Sequence, residues 1–179
     1  MRKLAVLVCS LIAWAAPAIA QELSAADLDR RRKALSDLLH EQWEYTLRTS
    51  PEFASILGDR RYNDQVSDPS EKAVYADLEM TRRFLRRFQA IDTVAFSEQE
   101  KLNRDLMIRD LKTSLEGAKF TNWRAPVSQM GGIHLFAAQL PSMLQFATVK
   151  DYDDYIVRLR KLPNLLDDTT ANMRKGMAA

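Results

Sequence analysis

The chain has 179 residues, with 26 Lys and Arg against 24 Asp and Glu, one Cys and two His. Hydrophobic residues make up 46% and charged residues 28%, a globular balance that excludes collagen-like, disulfide-rich and globally disordered chains. Removal of Arg2 and Lys3 with the leader described next would leave a mature chain with equal numbers of acidic and basic residues. Because a neutral chain has no overall field that attracts polyanions, we expect no nucleic-acid partner.

The first twenty residues have the organisation of a secretory signal peptide. Met1–Lys3 is positively charged, Leu4–Ala16 is almost wholly apolar, and Ala18–Ala20 supplies small residues before a polar stretch. The apolar run is shorter than the roughly 20 residues that a membrane-spanning helix needs. We therefore expect residues 1–20 to be cleaved near Ala20, Cys9 to be lost with them, and the protein to be exported to the periplasm or medium with no stable membrane anchor.

Hydrophobic residues recur at helical spacing along most of the remaining chain. We expect helix caps before these stretches at Ser24 and Ser70, and a capping box formed by Ser97 and Glu100. The pattern predicts helices near 24–48, 70–90, 97–117 and 149–176, and a short helix that begins at Pro51 and is closed by Gly58. The apolar faces predicted for the first three long helices are Leu28, Leu35, Leu38, Leu39, Trp43 and Leu47; Val74, Leu78, Thr81, Leu85 and Phe88; and Leu102, Leu106, Ile108, Leu111 and Leu115. The fold class is all-α, with amphipathic helices packed as an irregular bundle.

Residues 118–148 are apolar without a regular period, and they contain Pro126, Pro141 and the Gly131-Gly132 pair. We expect an irregular segment that packs on the helices or on a surface outside this chain, because an exposed loop would not carry so many large apolar residues. Pro163 predicts a kink or a restart in the last helix.

The segment that comes nearest to a known catalytic motif is His40-Glu41, because a zinc-peptidase helix carries His at positions i and i+4 with Glu beside the first His. Glu44 stands where the second His would be, and the other histidine, His134, lies in an unrelated segment. We interpret the motif as a charged helix face. The chain also lacks the Glu-x-x-His pairs that di-iron helix bundles need and the Gly-x-Ser-x-Gly elbow of serine hydrolases. We therefore assign it no catalytic, cofactor-binding or metal-binding residue.

Several ordered segments resemble one known family. They are Ser50–Ala54, Gly58–Asp64, Gln129–His134, Thr148–Tyr155 with Arg158–Pro163, and Arg174–Met177. In order and spacing they resemble the start of a large group of exported bacterial proteins known as the domain of unknown function 885 family. The resemblance covers most of the chain after Gln21.

Members of that family are several hundred residues long, nearly all helical, and look like zinc metallopeptidases whose His-Glu-x-x-His helix lies late in the chain. The resemblance implies that residues 21–179 are the helical N-terminal region of a truncated larger domain, and that zinc and a peptide substrate belong to the full-length parent. The partner of this region would be the missing C-terminal part of the same chain. No metal ligand of the family falls on a residue here, but Gly131, Gly132 and His134 are candidates for lining the parent's cleft.

Two functional hypotheses remain. In the first, the chain is an N-terminal fragment of an exported peptidase-like protein and is inactive alone, in line with the small apolar residues 176–179 that follow the last helix without a polar tail. In the second, it is a self-sufficient exported helical interaction module without catalysis. Whether the reading frame continues beyond Ala179 discriminates between them.

Overall fold

The computed structural model describes residues 25–178. The expected signal peptide, residues 1–20, and the helix cap expected at Ser24 lie outside the described residues. Within 25–178, no helix is both long enough and apolar enough to cross a membrane.

The described chain is built from helices joined by short loops. The helices are α1 (Ala25–Thr49), α2 (Pro51–Ile56), α3 (Glu71–Gln89), α4 (Glu98–Ala118), α5 (Ile133–Met143) and α6 (Val149–Met177), with single turns of 3₁₀ helix at Arg60–Tyr62 and Asn122–Arg124. No strand occurs between residues 25 and 178. The prediction of an all-α fold is confirmed, and the predicted bounds of the long helices agree with the structure to within one or two residues.

The helix ends follow the local signals in the sequence. The Ser70 hydroxyl accepts a hydrogen bond from the Ala73 amide at 3.2 Å, and Ser97 and Glu100 form a reciprocal capping box at the start of α4. Gly58 has φ 88°, the left-handed conformation that a glycine adopts without strain after a helix. These three features were predicted correctly.

Two expectations about segments that contain proline and glycine were wrong in part. Residues 118–148 are not irregular throughout, because they contain the whole of α5. Only three of its eleven residues, His134, Gln139 and Ser142, are polar, so a helix apolar on most faces showed no amphipathic period. Of the two alternatives for Pro163, the restart is wrong, since α6 is continuous from Val149 to Met177, and the kink stays a prediction.

The main hydrophobic core lies between α1, α3 and α4. It consists of the buried side chains Leu35, Leu38, Phe84, Phe88, Phe96 and Leu111. Three residues assigned to the apolar faces, Trp43, Leu102 and Leu106, are exposed, whereas Phe84, which was not assigned, is 2% exposed. Periodicity found the correct faces, but it did not define how far across each face the neighbouring helix reaches.

The other half of the molecule is organised by α6. At its start, the buried Asp151 carboxylate accepts hydrogen bonds from the amides of Ala147 and Thr148 at 3.0 and 2.7 Å, and it lies 3.6 Å from Arg60. Desolvation acts to raise the pKa of Asp151, but the hydrogen bonds from Thr148 and Ala147 and the charge of Arg60 together hold that pKa below its ordinary value. At its other end, α6 contacts the 3₁₀ turn at Asn122–Arg124.

Candidate functional site

The middle of α6 carries a charged side chain that is almost fully buried. Arg158 is 1% exposed, and its guanidinium donates to the carbonyl oxygens of Gln65 and Tyr62 and to the Ser55 hydroxyl, each at 2.7 Å. A longer hydrogen bond of 3.3 Å reaches the Pro51 carbonyl. The five donors of a guanidinium suit this role, because one rigid group can hold several backbone oxygens at once. Arg158 therefore ties α6 to α2 and to the loop that follows it.

The charge of Arg158 is compensated by neighbours. Burial lowers the pKa of the guanidinium, and the Glu52 carboxylate opposes that effect most strongly. An arginine nevertheless remains protonated in proteins. Nη1 is buried and finds no hydrogen-bond partner among residues 25–178, so one side of the guanidinium is not used by the cross-link.

Glu52 is the second buried charged residue of this region, at 7% exposure on the first turn of α2. Its carboxylate accepts hydrogen bonds from the backbone amide of Ser67, at 2.9 Å, and from the Ser67 hydroxyl. Within the described chain, no Lys, Arg or His nitrogen lies within 4.0 Å of this carboxylate. A buried carboxylate costs free energy unless donors or a cation compensate it, which makes Glu52 a candidate functional group.

Glu52 lines a cleft of about 210 Å³ that we call the Glu52 cleft. Its other lining residues are Ser67, Pro69, Pro126, Ile133, Phe136, Leu165 and Thr169, contributed by the loop before α3, the loop before α5, α5 itself and α6. A mostly apolar concave surface with a few polar groups is the usual composition of a small-molecule site. The arrangement can bind an apolar group beside a negative charge.

The three residues expected to line a cleft lie near this one without forming its wall. Gly131 closes a turn in which its carbonyl accepts from the Ser128 amide at 2.8 Å, and Gly132, with φ 134°, leads into α5. His134 is exposed, whereas the next residue before it, Ile133, faces the cleft. The role expected for Gly131, Gly132 and His134 in a full-length protein stays a prediction.

The His40-Glu41 motif lies on the exposed side of α1. Two carboxylates near His40 are engaged by arginines: Glu44 accepts hydrogen bonds from Arg61 at 2.7 and 3.0 Å, and Glu41 from Arg87 at 2.6 and 2.7 Å. These hydrogen bonds lower the pKa of both glutamates. Between residues 25 and 178, no three His, Cys, Asp or Glu side chains are grouped so that they could hold a metal ion. The described residues therefore do not fit a zinc ion.

A different surface of α6 is apolar and open. Tyr152, Ile156, Leu159, Leu166 and Met177, which we call the α6 stripe, are 42–83% exposed. Their separations of four, three, seven and eleven residues place them on one side of a helix. The buried side of the same helix includes the polar residues Asp151, Arg158, Thr169 and Asn172.

Neither Arg158 nor Glu52 was predicted from the sequence as a buried functional residue. The signal for Arg158 was present, because it falls three residues after Tyr155 and four before Leu162, on the side of α6 that continues to Leu165. A charged residue on such a face is unusual and marks either a cross-link or a site. Glu52, next to Pro51 at a helix start, resembled an ordinary acidic residue in a first turn, and only the fold of the 59–69 loop buries it.

The fold and site define an all-helical protein in which buried charges hold α2 and α6 together beside a small cleft. A family described as bacterial protein of unknown function (DUF885) matches residues 51–179, which is more than half of the chain. The chain belongs to this family. No match was found among curated proteins or among solved structures.

Proposed function

We propose that this chain is the helical N-terminal region of a larger exported protein that resembles zinc-dependent peptidases, and that it acts as a wall against which the rest of that protein packs. The observation that carries the proposal is the exposed α6 stripe. Zinc and the catalytic base would belong to the later part of the parent chain, as the resemblance to other members of the family implies. Export rests on the signal peptide expected in residues 1–20.

The α6 stripe has the properties of a helix-docking surface. Large apolar side chains exposed along one side of a helix mark interaction sites, and burying one Leu or Ile side chain contributes about 1.5–3 kcal/mol. Steps of three and four residues, as from Tyr152 to Ile156 to Leu159, suit a second helix that packs at a small crossing angle. Because Arg158 fixes the buried side of α6, the stripe is presented on a helix that cannot easily rotate to hide it.

The first test is the gene itself. Reading beyond codon 179 should reveal a continuous frame that encodes a His-Glu-x-x-His run, and a stop codon at that position would contradict the proposal. The mature protein isolated from the periplasm should begin at Gln21 by intact mass, and a species that retains Met1 would contradict export by cleavage.

The second test addresses docking. We would express the 179-residue chain together with the polypeptide encoded downstream and measure co-purification and chelator-sensitive peptide hydrolysis. Leu159→Glu with Leu166→Glu should abolish both. The matched control, Asn164→Glu with Ala171→Glu, adds the same charge at exposed positions of α6 away from the stripe and should leave both unchanged.

Equal effects of the two double variants would refute docking through the stripe, and peptide hydrolysis by the homogeneous 179-residue chain alone would refute the assignment as a non-catalytic wall. The alternative is a self-sufficient interaction module, for which the same stripe would bind a separate protein. That alternative predicts stripe-dependent capture of another exported protein and no association with the downstream polypeptide.

A further inference from the structure

We propose that the Glu52 cleft binds a primary ammonium group carried on a small apolar body, with the ammonium at Glu52 and the apolar body against α5. The inference is independent of the docking role of α6, because the cleft and the α6 stripe share no residue.

The charge of Glu52 is only partly satisfied inside the protein. A carboxylate offers about four acceptor sites, and Ser67 fills two of them with its amide and its hydroxyl. The comparable buried carboxylate, Asp151, receives hydrogen bonds from two backbone amides and the Thr148 hydroxyl and also lies near Arg60. The charge of Glu52 acts to raise the pKa of Arg158, but the short hydrogen bonds of Arg158 go to other residues. Glu52 therefore retains acceptor capacity for a ligand.

The polar groups of the cleft match the hydrogen-bonding character of an ammonium. The Ser67 hydroxyl donates its hydrogen to Glu52, and the Thr169 hydroxyl donates its hydrogen to the Leu165 carbonyl at 2.7 Å. Both hydroxyl oxygens, like the carboxylate, are thus left as acceptors. An ammonium has three donors and no acceptor, so its hydrogen-bonding character is complementary to these three acceptor groups. An anion would meet the charge of Glu52, and no side chain that lines the cleft would offer it a free donor.

The walls of the cleft define the rest of the ligand. Ile133 and Phe136 on α5, Leu165 on α6, and the rings of Pro69 and Pro126 present apolar surface. A cavity of about 150 Å³ holds a benzene molecule, so about 210 Å³ accommodates a phenyl ring with a short aminoalkyl arm. The apolar walls disfavour a hydrated metal ion, which would have to lose water without gaining ligands. A compact arylalkyl amine, or a peptide N-terminus with an apolar first residue, has the required chemistry.

The test is a titration of the 179-residue chain at neutral pH with benzylamine and with benzyl alcohol, its uncharged counterpart, followed by calorimetry and by amide chemical shifts. Benzylamine should bind at least tenfold more tightly, and the largest shifts should fall at Ser67 and Ile133. Equal affinity of the two probes, or shifts confined to other surfaces, would overturn the proposal.

Variants separate the charge from the shape of the cleft. Glu52→Gln should remove the preference for benzylamine, and Asp151→Asn, which neutralises a buried carboxylate outside the cleft, should retain it. Ile133→Trp should fill the cleft and weaken both probes at least tenfold, which keeps the proposal testable if Glu52→Gln does not fold. Retention of the preference in a folded Glu52→Gln variant, or undiminished binding to a folded Ile133→Trp variant, would refute the site.

Phenylalanine amide, which carries the ammonium and side chain of a peptide N-terminus, distinguishes the two sources of ligand. Tighter binding than benzylamine would assign the cleft to a peptide N-terminus. Weaker binding would assign it to a free amine, and either result requires the dependence on Glu52 described above.

Discussion

Replacing Arg158 with Met should destabilise the protein more than most single substitutions. Methionine retains an unbranched apolar stem and has nearly the same helix propensity, so the change removes the guanidinium without disfavouring α6. It leaves the Tyr62 and Gln65 carbonyls and the Ser55 hydroxyl without their charged donor.

The magnitude follows from the hydrogen bonds. Each hydrogen bond to a charged group contributes about 1.5–3 kcal/mol, and three short ones from Arg158 would together contribute roughly 5–9 kcal/mol. Desolvation of the guanidinium offsets several kcal/mol of this gain, so the net loss of stability should be about 3–5 kcal/mol. For a domain of this size, that loss lowers the melting temperature by about 6–20 °C.

Urea denaturation followed by helical circular dichroism measures the loss as a lower midpoint at unchanged slope. Arg160→Met is the matched control, since Arg160 is an exposed arginine on the same helix and its replacement should change stability by at most about 0.5 kcal/mol. Trypsin should also cleave the Arg158→Met variant faster in the 59–69 loop, which loses its anchor. A loss below about 1 kcal/mol, or equal losses for the two variants, would show that the cross-link does not stabilise the fold.

Three further predictions concern local geometry and pH. Gly132→Ala should lower the free energy of unfolding, measured by heat or urea, by about 1–3 kcal/mol, because φ 134° is accessible essentially only to glycine. Gly131→Ala should be tolerated, and equal losses for the two variants would contradict this account. Gly176→Ala should destabilise the end of α6, where the new methyl group would clash with the backbone oxygen of Arg124. Gly117→Ala, whose methyl group would meet nothing within 4 Å, should instead add up to about 1 kcal/mol of stability. Because the folded state lowers the pKa of Asp151, its ionised form stabilises the protein above the ordinary value, and that stabilisation disappears as pH falls through the folded value. The stability difference between wild type and Asp151→Asn, measured in urea across pH, should thus be largest near neutrality, begin to shrink near the ordinary aspartate pKa of about 4, and disappear only when pH lies below the folded value; a difference that grows with acidity would refute the sign.

The sequence predicted the long helices because their determinants are local. Ser70, Ser97 and Gly58 act on backbone groups within a few residues, and the leucines of α1 recur along the chain itself. Such signals do not depend on what the helix later packs against. The resemblance to one family was likewise visible in short segments, and residues 51–179 match that family.

The failures share a different cause. The helix α5 was missed because eight of its eleven residues are apolar, and a helix that is apolar on most sides lacks the alternation of polar and apolar residues from which a helical period is recognised. Trp43 and Leu102 were placed in the core because spacing defines a direction on a helix, whereas burial depends on whether a neighbour reaches that far.

The sequence by itself determined the helical class, most of the helix ends and the family, since each depends on contacts close in the chain or on ordered short segments. Only the tertiary structure decided that Glu52 and Arg158 would be buried. Their partners, Ser67 and Gln65 for example, are separated from them by 15 and 93 residues, respectively. Hydrogen bonds between such distant residues exist only after the chain has folded, because the surrounding apolar side chains must first exclude water and bring them together.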